Sequence, residues 1–148
     1  MAWRRGTKPA GWYPRRGEVC LFALDKERPG LVPSTDALNR FSRDACIVPI
    51  SKAEDRQFSL RPKLKAGQGG LQFDSRAKCD QVTSVEISTA VFPALGVLDR
   101  ESMPRVEDAI RVALELPEKN RPLSFSCKFN SWIRTQDGPR PGRKLLLL

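Results

Sequence analysis

The chain has 148 residues, a formal net charge of +9, four cysteines and no histidine. That length favours one domain with extensions. No run approaches the ~20 apolar residues of a membrane span, and the opening MAWRRGTKPAGW has charge but no apolar centre, unlike a signal peptide.

In chain order, residues 1–15 read as a basic flexible arm. Its Trp3, Trp12 and Tyr13 suit stacking on bases, or simply a loosely ordered end. Glu18 to Leu24, EVCLFAL, reads as a buried strand, and Asp25-Lys26-Glu27 turns the chain. Gly30–Val32 and Ala45–Ile50 are short apolar runs and predict two more strands. Pro33 would make a strand over 30–34 an edge or a bulge, since it has no N–H to give. Between these runs, Thr35 or Asp36 caps one helical turn, DALNRF. Pro62 limits FSLRPKL to an edge or broken strand, and Gly67, Gly69 and Gly70 mark a turn. Lys78–Ile87 reads as a strand with mixed faces, and Pro93 and Gly96 argue against helix in Phe92–Leu98. Ser102 is a suitable N-cap, with Pro104 in the first turn. Met103, Val106, Ile110, Ala113 and Leu114 then recur at helical spacing until Pro117. Residues 118–148 read as a basic, partly disordered C-terminal extension holding Phe125, Phe129, Trp132 and Ile133. An extra strand, a partner-binding segment and a tail without a selected role all fit it.

The charge is unevenly placed. Residues 1–16 carry five basic groups and no acid, and residues 118–148 carry seven basic groups against two acids. Between them the signs nearly cancel, but residues 28–65 hold eight basic groups against four acids. A polyanion near Arg28 fits that distribution; so does a solvated loop. Cys20, Cys46, Cys79 and Cys127 are well separated, with no C-x-x-C, and read as reduced core cysteines of a cytoplasmic protein. Without histidine, this cysteine spacing makes no zinc site, so no metal or cofactor is expected.

An ordered series of short motifs runs through the middle of the chain. It comprises Arg16-Gly17-Glu18-Val19, Arg28-Pro29-x-Leu31-Val32, Asp36-Ala37-x-Asn39-Arg40 and Pro49-Ile50-Ser51. It continues with Gly69-Gly70-Leu71, Asp74-Ser75, Cys79-Asp80-Gln81-Val82 and the helix from Pro104 to Leu116. In that order and spacing, residues 16–117 resemble the MazF/PemK (Kid) family of toxin endoribonucleases. The resemblance implies a mostly β fold with peripheral helices, the SH3-like small barrel of the CcdB and PemK toxins. It implies a homodimer that cleaves single-stranded RNA and is inhibited by a MazE-like antitoxin. It also implies that Arg28 and Ser51 are the catalytic pair, with Gln81, Asn39, Arg40 and Lys52 as RNA contacts. The connection before Arg28, longer in the family and lying over the RNA there, is short here.

The residues present suit such chemistry. Cleavage without a metal uses the neighbouring 2′-hydroxyl as nucleophile and needs donors for the charge that builds on the phosphate. A guanidinium offers a planar pair of donors, and a hydroxyl donates or accepts as required. Fixed donors of this kind often supply the largest catalytic term. Plainer readings stand beside it: Arg28 paired with Asp25 or Glu27, Pro49-Ile50-Ser51 as a turn, and Asn39 completing another. A non-catalytic module on the same barrel is the competing function. The gyrase-binding toxin CcdB has this fold and a tryptophan in its C-terminal region, faintly echoed by Trp132, and an inactive relative is the third reading. Arg28 and Ser51 together favour the nuclease.

Overall fold

The computed structural model describes residues 5–53 and 59–117; Trp3, Phe58 and the 118–148 extension with Cys127 and Trp132 lie outside the described residues. The elements in order are β1 (Glu18–Ala23), β2 (Glu27–Leu31), α1 (Asp36–Phe41), β3 (Asp44–Lys52), β4 (Lys63–Leu64), β5 (Ser75–Ala77), β6 (Thr83–Glu86), β7 (Ala90–Val97) and α2 (Ser102–Ala113). The strands pair antiparallel in the order β4-β5-β3-β2-β1-β7, with β6 also on β3. This is the mostly β arrangement with two helices that the sequence predicts.

Alternation along the strands divides the apolar side chains between two clusters. Val19, Leu31, Val48, Ile50 and Ala77 join Leu64 and Val106 in one; Cys20, Phe22, Val32, Ile47 and Val85 form the other. Val19, Leu31, Val48, Leu64 and Val106 are wholly buried, each contributing about 1.5–3 kcal/mol of apolar burial. Cys20 and Cys79 are buried free thiols, and Cys46 is half-buried. Burial pushes the Cys20 and Cys79 thiols up to about 12, so neither ionises readily.

Several expectations change in detail. The strand expected over Lys78–Ile87 is broken: Cys79–Gln81 forms a 3-10 turn between β5 and β6. Both strands lie along β3, β6 against Asp44–Ile47 and β5 against Ile50–Lys52, and the turn takes up the offset between the two registers. Pro33 falls beyond β2, which ends at Leu31, so it neither makes an edge nor bulges a strand. Thr35 caps α1 through Oγ1, which accepts from the Leu38 N–H at 3.4 Å. Ser102, in contrast, is not the cap of α2. It is the first helical residue and is buried. The capping oxygen is Asp99 Oδ1, which accepts from the N–H groups of Glu101 (3.0 Å) and Ser102 (2.7 Å). Those backbone bonds hold the Asp99 carboxyl below its ordinary value. The apolar stripe of α2 reaches the core through Met103, Val106, Ala109 and Ile110, whereas Leu114 is exposed.

Residues 5–14 lie against the second cluster. The Gly6 N–H donates to Phe92 O at 2.8 Å. Trp12 meets the Phe92 ring edge-on at 5.4 Å and packs on the cluster. Lys8 Nζ donates to Ser88 O at 3.0 Å.

Candidate functional site

β2 and β3 are neighbours, paired at Gly30↔Pro49 and Leu31↔Val48. Continuing that register two positions beyond the last bonded pair would set Arg28 across from Ser51. Directly opposite residues share a face of the sheet, and this is the face away from Ile50, which points into the core. The ladder stops short of the pair because neither Pro29 nor Pro49 has an N–H to give it. Arg28 is exposed, and its closest charged partner is Asp25, 3.8 Å away and itself exposed. An exposed pair at that distance is worth little. Glu27, the other partner expected for Arg28, bonds to Arg5 instead. Ser51 is half-buried, and its hydroxyl makes no hydrogen bond among the described residues. The pair therefore presents a guanidinium and a hydroxyl, neither engaged by strong internal bonds.

The row continues across the sheet. Arg76 of β5 pairs directly with Ser51, and Lys63 of β4 pairs with Arg76. Lys63 is matched by Asp74 at 2.9 Å. Arg76 donates through one terminal nitrogen to Arg61 O at 3.1 Å. The Arg61 guanidinium in turn grips Asp80 with two bonds, 2.8 and 2.7 Å. Gln81 follows Asp80 on the 3-10 turn, exposed and beside β3, where the Lys78 N–H donates to Pro49 O at 2.8 Å. Lys52, the last residue of β3, alternates to the other side of the strand from Ser51, and its ammonium lies 4.7 Å from the centre of the Phe73 ring. Phe73 is 57% exposed. It escaped the sequence reading; the available signal was an aromatic residue near basic ones, common to many surface loops.

Asn39 and Arg40 are not brought to this face. Asn39 is buried: its amide donates to Ser34 O at 3.1 Å and accepts from Ser34 Oγ at 2.5 Å. Both ends of the amide are used to shape the turn into α1. Arg40 lies over Phe41 with its guanidinium 5.3 Å from the ring centre. α1 leads into the start of β3, and Ser51 is near the other end of that nine-residue strand. The bonds of Asn39 are those of the turn reading given for it above. Among the described residues, no group of three histidine, cysteine or carboxylate side chains is placed to hold a metal ion. Nor is any helix among them long and apolar enough to cross a membrane.

The sequence model of the family described as PemK-like, MazF-like toxin of type II toxin-antitoxin system matches residues 15–114. The chain belongs to this family. Endoribonuclease MazF9 of Mycobacterium tuberculosis (strain ATCC 25618 / H37Rv) is 26% identical over 115 residues, covering 69% of this chain and 97% of that protein. Among solved structures, an endoribonuclease in complex with its cognate antitoxin from a mycobacterial species is 23% identical with a TM-score of 0.63, covering 71% of this chain and 98% of that one. A MazE–MazF complex from Deinococcus radiodurans is 18% identical with a TM-score of 0.61, covering 72% and 99%. The fold is therefore that of the MazF toxins, the small β-barrel expected from the motif series.

Within this MazF/PemK-family chain, the Asp80–Arg61 pair anchors the turn that carries Gln81. The Arg61 guanidinium, through its hydrogen bonds first, holds the Asp80 carboxyl below the ordinary carboxylate value. A carboxyl lowered in the folded state stabilises the fold above its unfolded value. That contribution is lost as pH falls through the folded one. The pair is partly exposed, so Asp80→Asn is expected to cost about 0.5–1 kcal/mol, roughly 2–6 °C of melting temperature at pH 7. As pH falls through the lowered folded-state value, the gap between parent and variant should close. A pH-independent gap between their melting curves would rule out this linkage.

Proposed function

We propose that this chain is the toxin of a type II toxin-antitoxin system: an endoribonuclease that cleaves single-stranded RNA at selected sequences without a metal and is inhibited by a cognate MazE-like antitoxin. The observation that supports the reading is the β2–β3 register, paired at Gly30↔Pro49 and Leu31↔Val48, which when continued sets Arg28 across from Ser51 on one side of the sheet. Family membership and the printed activity of the relative support it. Arg28 holds a non-bridging oxygen of the scissile phosphate with its paired donors, and it stabilises charge rather than moving protons, since its pKa lies far above neutral. Ser51 donates to the phosphate or accepts from the attacking 2′-hydroxyl. As the 2′-oxygen bonds to phosphorus, the 5′-oxygen leaves and takes up a proton. The products are a 2′,3′-cyclic phosphate and a 5′-hydroxyl. Gln81 and Lys52 position the strand, with Phe73 offering a ring for a base. The unit works as a cytoplasmic homodimer, a common way to cover sheet edges.

Incubation of the purified chain with single-stranded RNA in excess chelator tests this reading. Cyclic-phosphate and 5′-hydroxyl ends by mass spectrometry are expected, from a particle of twice the 16.6 kDa chain mass by light scattering. Cleavage that stops in chelator, or 3′-hydroxyl ends, would overturn the mechanism; a monomeric mass would overturn the dimer.

A further inference from the structure

Arg76 lies outside the motif series and has no role in the chemistry above. Its position is nonetheless determined by the sheet: it is the residue directly opposite Ser51 on β5, with Cβ atoms of such pairs about 5 Å apart. Ile50 and Ala77, the adjacent pair, point into the core, so Ser51 and Arg76 point the other way together. Arg76 makes no ion pair among the described residues. Its terminal nitrogen is spent on a backbone carbonyl, Arg61 O, and its Nε is buried with no hydrogen-bond partner. A half-buried guanidinium with an unsatisfied nitrogen is costly unless an acceptor completes it, and a phosphate oxygen is one that its charge favours. The next basic residue in the row, Lys63, already has its carboxylate in Asp74. Arg76 does not.

We propose that Arg76 is a second phosphate-holding guanidinium of this face, on the far side of Ser51 from Arg28. The two arginines then flank the hydroxyl from β2 and β5. A phosphodiester strand laid across β3 meets a positive fork on each side of it. Arg61 acts as the brace, because its carbonyl orients Arg76 while its side chain is tied to Asp80. The inference rests on the RNA reading of the face, but its test does not require cleavage.

The probe is a short fluorescent oligoribonucleotide with every 2′-hydroxyl methylated, which binds but offers no nucleophile. Its dissociation constant is measured against salt concentration for the parent, Arg76→Gln and Arg76→Lys, with melting curves alongside. Arg76→Gln should weaken binding about tenfold and flatten the salt dependence by about 0.7 in log–log slope, the value for one phosphate contact on a single strand. Arg76→Lys should keep the slope and still lose several-fold in affinity, since it keeps the charge without the fork. If the glutamine variant does not fold, the lysine variant decides. Parent-like affinity and slope in each folded variant would overturn the proposal. A parent that binds the probe through Arg76 but cleaves no RNA would sink the nuclease reading and leave this one standing. A parent that cleaves RNA while both variants bind normally does the reverse.

Discussion

Arg28→Lys is expected to cleave RNA about 10²–10³-fold more slowly than the parent, nearly as poorly as Arg28→Ala. The reason is geometric. At the exposed start of β2 the only ion pair of Arg28 among the described residues is the long one to Asp25, which leaves the planar fork available for two phosphate oxygens. Lysine supplies the charge at one point and cannot reproduce the fork. Ser51→Ala should lose less, because a water or a backbone amide can replace one hydroxyl donor. All three variants should melt close to the parent, within about 0.5 kcal/mol, since none of these side chains fills the core. Single-turnover rates on one defined RNA, with melting curves beside them, make the comparison. If the lysine variant keeps most of the rate and only binds RNA more weakly, Arg28 contributes long-range charge and no clamp. Full cleavage by Arg28→Ala, with contaminating nuclease excluded, would falsify the site.

Gly70→Ala should damage the fold far more than any of those changes. Gly70 has φ +74°, and a Cβ built on it lies 2.0 Å from the Leu95 carbonyl oxygen of β7 and 2.5 Å from its carbon. Gly96 reciprocates: its Cβ would lie 2.8 Å from Gly69 C and Gly70 N. The Gly67–Leu71 turn is thus pressed onto β7 backbone to backbone, beside Val19, which a Cβ on Gly69 would meet at 2.6 Å. An alanine methyl can be housed only by moving β7 away from the turn. Overpacking of about 1–3 kcal/mol adds to about 1–2 kcal/mol for the left-handed conformation. For a domain of roughly a hundred residues this corresponds to a fall in melting temperature of about 10–20 °C. Gly67→Ala is the control: it shares the positive φ, but its Cβ would meet nothing within 4 Å, so it should show only the conformational part. Equal effects at the two positions would mean that the close approach is not what makes Gly70 necessary.

Much of this was legible in the chain. The helical turn over 36–41 followed from cap residues placed just before a short polar run, and of the two offered, Thr35 and Asp36, Thr35 is the cap. The stripe of α2 followed from its spacing, as did the strands before and after α1. These are local patterns, in which residues a few positions apart determine the outcome. The motif series likewise identified the family and singled out Arg28 and Ser51, because each sits at a recognisable tripeptide. Asn39 was legible only in part: its motif and the turn reading are visible in sequence, whereas its burial and its two bonds with Ser34 are not.

The sequence by itself determined the two helices and most of the strands, though not β5 or the turn after it, that the middle of the chain builds a small β-rich core, and which arginine and serine are candidates for phosphate chemistry. Only the tertiary structure decided which side chains stand together. Ser51 meets Arg76 because β5 pairs with the end of β3, a register set between segments 25 residues apart. Asp99 supplies the capping oxygen of α2 although Ser102 is the cap its sequence suggests, since the backbone before the helix turns that carboxylate onto its first N–H groups. Gly70 is required because β7 passes over it. Alternation tells which face of its own strand a residue occupies. Which partner lies across from it depends on how strands close over distant loops, and the closure is fixed by burying both apolar clusters at once.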